Sequence, residues 1–279
     1  MMVFVTALAV PASAQEPSSG TVAASEPGDV SPFLSRADVA FGFAGLHTAD
    51  PRFDWQATVG FDIDVYDYSS GRLRFRADYE SFLGRERRRY DLNQGNYAFE
   101  IAGTRRFKRV ELALLSQHVS RHLVDRDNPP SISWNTVGVR AQSVWTADTG
   151  LTASGRTGTK DAGRSGRVDG EIEISRAMQQ AYVDYAWIGR SKMSWWRPLT
   201  PVAALRVRAT GEVVGVKHGI VRNERVCGGR IEGSLQLRGR RAILEMFGGY
   251  ERRIDAYPTD RFRVRWFTAG ARVVTTPFW

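Results

Sequence analysis

A period of two, held over runs too long for an ordinary soluble strand, constrains this 279-residue chain more than anything else in it. Across 53–65, Phe53, Trp55, Ala57, Val59, Phe61, Ile63 and Val65 alternate with Asp54, Gln56, Thr58, Gly60, Asp62 and Asp64. Across 72–83, Leu73, Phe75, Ala77, Tyr79 and Leu83 share one face, and Arg72, Arg74, Arg76, Asp78 and Glu80 share the other. The same alternation marks 97–103, 203–213 and 231–237. Each run is a strand with one apolar and one polar face. No segment carries a 3.6-residue period.

A soluble sandwich also alternates, so strand length decides. Soluble strands run about 5–6 residues, whereas a tilted strand crossing a bilayer needs about 9–11. The runs here reach the second range. Beyond the turn at Tyr68–Gly71, Arg72, Arg74 and Arg76 fold back beside Asp62 and Asp64, which predicts cross-strand ion pairs. An all-β, antiparallel transmembrane β-barrel with a charged lumen and an apolar exterior satisfies both faces. The ending Thr275-Thr-Pro-Phe-Trp279 resembles the terminal aromatic assembly signal of bacterial outer-membrane barrels. The pattern predicts about twelve strands, at 38–48, 53–67, 71–84, 95–107, 109–122, 133–147, 150–160, 168–188, 200–215, 226–238, 241–255 and 261–275. Within 168–188 the apolar face changes parity, from Ile172 and Ile174 to Val183, Tyr185 and Trp187, so a bulge or an extra turn is expected there. Trp134, Trp145, Trp187, Trp195 and Trp196 read as interfacial girdle residues.

The chain carries 39 Lys and Arg against 30 Asp and Glu, a net charge of +9. Because much of that charge alternates into the lumen instead of gathering on one face, nucleic acid is not an expected partner. One cysteine excludes an internal disulfide and a multi-cysteine metal site. Residues 1–14, an apolar run ending in Ala12-Ser-Ala14, read as a signal peptide, residues 15–36 as a disordered arm, and 37–279 as the barrel. Export to a bacterial outer membrane follows from that reading. With both termini periplasmic, the turns 68–71, 107–109, 147–150 and 238–241 face the periplasm, and 85–94, 122–132, 216–225 and 256–260 face outward.

One constellation carries chemistry. Val110, Leu112 and Leu114 set the even positions of 109–122 toward lipid, so Ser116, His118, Ser120 and His122 continue on the outer wall near the extracellular rim. On the next strand odd positions point outward, which places Asn135 on the same wall. Polar groups facing hydrocarbon without partners cost several kcal/mol. Residues two apart on a strand lie about 6.6–6.8 Å apart, so His118 and His122 both flank Ser120 within reach. Nucleophile, base and orienting group is the logic of an activated serine. On spacing alone either histidine serves as the base.

His118-Val-Ser120 followed by Ser133-Trp-Asn135 resembles the catalytic stretch of the outer-membrane phospholipase A family. Lipid A deacylase barrels carry a similar outward His-x-Ser. The resemblance implies Ser120 as nucleophile, His118 as base, Asn135 as orienting residue, and an oxyanion held by backbone N–H groups or Ca2+. This chain has Arg121-His122 where that family has Asn-Gly, and a longer loop before Asn135. The run His118-x-Ser-x-His-Leu-x-Asp125 also resembles a motif of an uncharacterised outer-membrane barrel family, which implies no activity. Two other readings of the same residues stand beside catalysis. They form a polar strand end reaching loop residues Asp125 and Asp127, or a zinc site from His118, His122 and Asp125.

Arg85, Arg87, Arg88 and Arg89 fall in an outer loop, where guanidinium forks suit lipopolysaccharide phosphates. The expected function is therefore a serine lipid esterase acting on membrane lipid or lipopolysaccharide, as monomer or homodimer. A non-catalytic structural barrel and a narrow pore are the alternatives, and paired lumen charges argue against a wide one.

Overall fold

The computed structural model describes residues 32–68, 70–124, 132–146, 166–217, 227–256 and 264–275. The alternating runs are antiparallel strands: β1 (Phe33–His47), β2 (Trp55–Asp67), β3 (Arg72–Gly84), β4 (Asp91–Phe107), β5 (Val110–Leu123), β6 (Ile132–Thr146), β7 (Arg167–Ala181), β8 (Tyr185–Pro198), β9 (Ala203–Val216), β10 (Cys227–Arg238), β11 (Ala242–Arg253) and β12 (Val264–Thr275). Each pairs with its neighbours in sequence, and β1 pairs with β12 from Ala40↔Val274 to His47↔Phe267. The sheet is a closed twelve-stranded barrel. No edge is left unpaired, which is what a strand-built structure needs in hydrocarbon.

Two expected strands differ. The predicted strand 168–188 is two strands, β7 and β8, reversing through Tyr182–Asp184. The parity change has its cause here: Ile172 and Ile174 point outward on β7, and an irregularity between Tyr185 and Trp187 turns Tyr185 into the lumen and Trp187 outward. The predicted strand 150–160 lies outside the described residues, and β6 pairs directly with β7. The β6–β7 connection is thus 147–166, not a turn at 147–150. β1 also begins at Phe33, earlier than the expected 38. The proposed signal peptide, residues 15–31 of the arm, Asp125, Asp127 and the terminal aromatics lie outside the described residues.

The outer wall is apolar. Phe41, Phe43, Ile101, Leu114, Val139, Ile172, Met193, Ile231 and Phe267 are all exposed, on strand after strand. In water such a surface would be far larger than a soluble monomer presents, whereas in hydrocarbon it costs nothing. Trp187 and Trp195 belong to this wall. Trp134 and Trp196 do not: Trp134 is buried against Tyr185 with ring centroids 5.3 Å apart, and the Trp196 indole donates to Gln236 at 2.9 Å. Their girdle reading is corrected by parity, since both lie on lumen-facing positions.

The lumen holds the charge. Arg74 pairs with Asp62, Arg76 lies 3.3 Å from the same carboxylate, and Arg72 bridges Asp64 and Glu111 at 2.7 and 2.8 Å. Arg140 donates to Glu100 at 2.7 Å and to Glu173 at 2.6 Å, and all three are nearly inaccessible. At the long-loop end two apolar clusters fill the lumen. One gathers Val119, Ile132, Trp134, Tyr185, Ile188 and Val214, and the other Leu46, Phe53, Phe82, Leu123, Ala256 and Trp266.

Breaking a buried pair strands the partner charge, which costs about 3–5 kcal/mol. Arg140→Met is expected to lose that much in urea unfolding from vesicles, because Glu100 and Glu173 are left together. A loss below about 1 kcal/mol, the level of an exposed pair, would contradict a dry, tightly paired centre. Leu114→Arg, on the lipid face, is expected to lose about 2–4 kcal/mol in the same assay. An unchanged midpoint would place that wall in water.

Candidate functional site

Outward and inward positions on β5 follow directly from its sequence. Leu112 and Leu114 are exposed while Ala113 and Leu115 are buried, so even residues face out. The same parity carries through Ser116, His118, Ser120 and His122 to the strand's upper end. The β4–β5 hairpin turns through Lys108–Arg109 and pairs Phe107 with Val110. Counting back from that pair sets Phe99 opposite His118, Tyr97 opposite Ser120 and Gly95 opposite His122. On the other side β6 sets Asn135 opposite His118 and Ser133 opposite Ser120.

Ser120, His118, His122 and Asn135 therefore share one face, and the structure joins them in two pairs. Nδ1 of His118 lies 2.7 Å from Oδ1 of Asn135. The Asn135 amide nitrogen donates to Oε1 of Gln179 at 3.3 Å, which leaves Oδ1 as acceptor for a proton on Nδ1. A neutral His118 held in this way keeps Nε2 unprotonated. Separately, Oγ of Ser120 lies 2.7 Å from Nε2 of His122. Among the described residues the serine hydroxyl bonds His122, not His118. Ser120 itself is only 8% exposed, so its hydroxyl is screened by its neighbours while both imidazoles stay accessible.

The sequence reading missed the aromatic support. The Tyr97 ring meets His122 edge-on at 5.6 Å and lies 4.8 Å from the Tyr79 ring, so the two tyrosines extend an aromatic run from the serine across β4 and β3. Counting from the two-residue turn at Lys108–Arg109 would have found Tyr97. Gln179 had no such signal, because it sits within the register irregularity between the pairs Thr136↔Ala177 and Trp134↔Gln180.

Calcium, implied by the resemblance, takes six to eight oxygens and usually several carboxylates. Among the described residues, the side chains that the strand register sets around Ser120 offer neutral oxygens: the Tyr97 and Ser133 hydroxyls and the Asn135 and Gln179 amides. They do not make a calcium site by themselves. Of the zinc set, Asp125 lies outside the described residues. The arginine loop sits between β3 and β4, at the same end of the barrel as Ser120. Arg85 pairs with Asp54 at 3.2 Å, Arg88 with Asp91 at 3.5 Å, and the Arg89 guanidinium lies 5.2 Å over the Tyr90 ring. Arg87 is exposed beside them. Part of the loop's positive charge is thus already matched within the chain.

Ring-nitrogen chemical shifts of labelled protein in micelles are expected to show neutral His118 as the Nδ1–H tautomer. Asn135→Ala should remove that preference. An Nε2–H tautomer in the unaltered protein would contradict the orienting role of Asn135.

No known protein-family profile matches this chain, and no curated protein matches it in sequence. Solved structures do. The chain is similar to the outer membrane phospholipase of Salmonella typhi, solved as a dimer with bound calcium, at a TM-score of 0.54 and 10% identity over 91% of this chain and 95% of that one. It is also similar to outer membrane phospholipase A from Escherichia coli, at a TM-score of 0.52 and 11% identity over 88% and 99% of the two chains. At such identities the likeness is one of fold: this chain has the closed antiparallel architecture of an outer-membrane β-barrel.

Proposed function

We propose that the chain is a serine lipid acyl hydrolase of the bacterial outer membrane, with its site on the barrel's outer wall near the extracellular rim. The observation that carries this reading is the 2.7 Å contact of the Ser120 hydroxyl with an imidazole on an otherwise lipid-facing wall. A serine, two histidines and an asparagine on one such face are costly unless used or wetted. The barrel fold supports the location, and residues 1–14 supply an export signal in the same reading.

In this mechanism Oγ of Ser120 attacks the carbonyl carbon of a lipid ester, and its proton passes to an imidazole nitrogen. The protonated imidazole then donates to the departing alcohol oxygen, leaving an acyl group on Ser120. Water, deprotonated by the same imidazole, releases the fatty acid and restores the hydroxyl. His118, oriented by Asn135, is the base that fits the nucleophile–base–orienter arrangement. A second reading has His122 in that role, favoured by its direct bond to Ser120. Tyr79 and Tyr97 lie where the acyl chain would run. Arg85, Arg87, Arg88 and Arg89 are placed to meet lipid phosphates above it.

The test is fatty-acid release by mass spectrometry, with refolded barrel given phospholipid and lipopolysaccharide separately, with and without calcium. Release that vanishes in folded Ser120→Ala establishes the serine hydrolase, and the lipid consumed names its class. Loss of roughly 100-fold or more in His118→Ala but not His122→Ala assigns His118 as base, and the reverse assigns His122. No release by a folded barrel from either lipid would return the site to a polar strand end and the protein to a structural role.

A further inference from the structure

The lumen has more fixed positive charge on one wall than its carboxylates match. Lys192 on β8 and Arg206 and Arg208 on β9 all line a cavity of about 890 Å³ inside the barrel. Lys192 has no hydrogen bond or ion pair among the described residues. The charges acting on it are Glu171, which attracts, and Arg208, Arg76 and Arg206, which repel. Glu171 faces Lys192 across the β7–β8 pair but has its salt bridge with Arg140, at 3.5 Å. Among the described residues Arg206 reaches only the Ser194 hydroxyl, at 3.4 Å. Arg208 comes no nearer than 4.0 Å to Glu232, and its Nε is buried without a partner.

The carboxylates nearby are already taken. Glu232 receives Arg272 and, at 2.5 Å, Arg230. Glu245 accepts from Arg272 at 2.6 Å and from Ser234 at 2.5 Å. Elsewhere in the lumen the match is close, as around Arg140 and Arg72. Among the described residues the three cations on β8 and β9 stand out from that match, as does a single carboxylate, Asp78 on β3, which lines the same cavity. Arg206 and Arg208 only share Glu232 and Glu245 with Arg272, which holds both. Cations so under-matched in a partly enclosed lumen are costly, and a mobile anion between them would offset that cost.

Access has a direction. Arg206 lies near the start of β9, in the half of the barrel that ends in the turns 68–71, 108–109, 199–202 and 239–241 and in the connection 147–166, while the apolar clusters fill the opposite end. The short-turn rim itself carries exposed Arg105, Lys108, Arg109, Arg238 and Arg240, which raise the local anion concentration at that mouth.

We propose that Lys192, Arg206 and Arg208 form a binding site inside the lumen for a small oxyanion of the phosphate or sulfate class, entered from the short-turn end. Two guanidinium groups and an ammonium on adjacent strands offer planar forks and a point charge to one tetrahedral anion. The site lies inside the barrel and is independent of the outer-wall serine.

Inorganic phosphate, and in a second arm sulfate, would be titrated by calorimetry into the refolded barrel in maltoside micelles at constant ionic strength set with chloride. Saturable binding is expected, weakened roughly tenfold or more by Arg208→Gln, in line with the loss of one charge-assisted hydrogen bond. Arg105→Gln on the exposed rim should leave the affinity within about twofold, since exposed charge is screened. The midpoint of thermal unfolding supplies a readout that folding failure cannot mimic. It should rise with phosphate in the unaltered protein and not in the folded Arg206→Gln/Arg208→Gln variant. Without phosphate that variant should melt no lower than the parent, because it loses under-matched cations and, of ion pairs, only the long Arg208–Glu232 contact at 4.0 Å. Absence of saturable binding of either anion, or equal binding by parent and double variant, would overturn the site.

Discussion

The closing pair of strands governs everything else. Hydrocarbon offers no hydrogen-bond partner to a backbone N–H or C=O, so a strand can cross it only inside a sheet without edges. Pairing of β1 with β12 supplies that closure. Once the sheet is a barrel, side-chain parity has only two destinations, and each strand must send one parity to lipid and the other to the lumen. The apolar wall at Leu114, Val139 and Ile172 and the ion pairs of Arg74 and Arg140 are the two results of one geometric rule.

Against that rule the outer site is a local exception. His118, Ser120 and His122 continue the even parity that carries Leu112 and Leu114, so the backbone cannot turn them inward without a bulge. The chain meets their cost with paired hydrogen bonds: Asn135 and Gln179 for His118, and Ser120 and His122 for each other. On the proposed function, the same contacts that satisfy these groups in lipid would also orient them for proton transfer. In that proposal stability and chemistry ask for one arrangement, beside which the aromatic pair Tyr79–Tyr97 lies.

The fold and the site were legible in the sequence to different depths. Alternation exposes parity directly, so the barrel, the lumen pairs of Arg72, Arg74 and Arg76, and the shared face of His118, Ser120, His122 and Asn135 could all be read from residue order. Parity fails where a strand changes register. The reversal at Tyr182–Asp184 followed by the irregularity before Trp187 made two strands look like one long one. Girdle tryptophans failed for a related reason, since Trp134 and Trp196 are large apolar residues at lumen positions and only packing tells them from lipid-facing ones. Which histidine holds Ser120 is a matter of side-chain rotation, and residue spacing is symmetric about the serine. The unmatched charge of Lys192, Arg206 and Arg208 was hidden because pairing in a barrel runs across several strands, not along one hairpin.

The central claim is that Ser120 is an activated nucleophile on the lipid-facing wall. It is tested most directly by covalent labelling with a long-chain alkylsulfonyl fluoride, followed by mass spectrometry of the peptides. The expected result is one adduct, on Ser120, formed by the folded barrel, lost on heat unfolding and slowed when the basic histidine is replaced. A folded barrel that leaves Ser120 unmodified, or that labels other serines equally, would contradict the account.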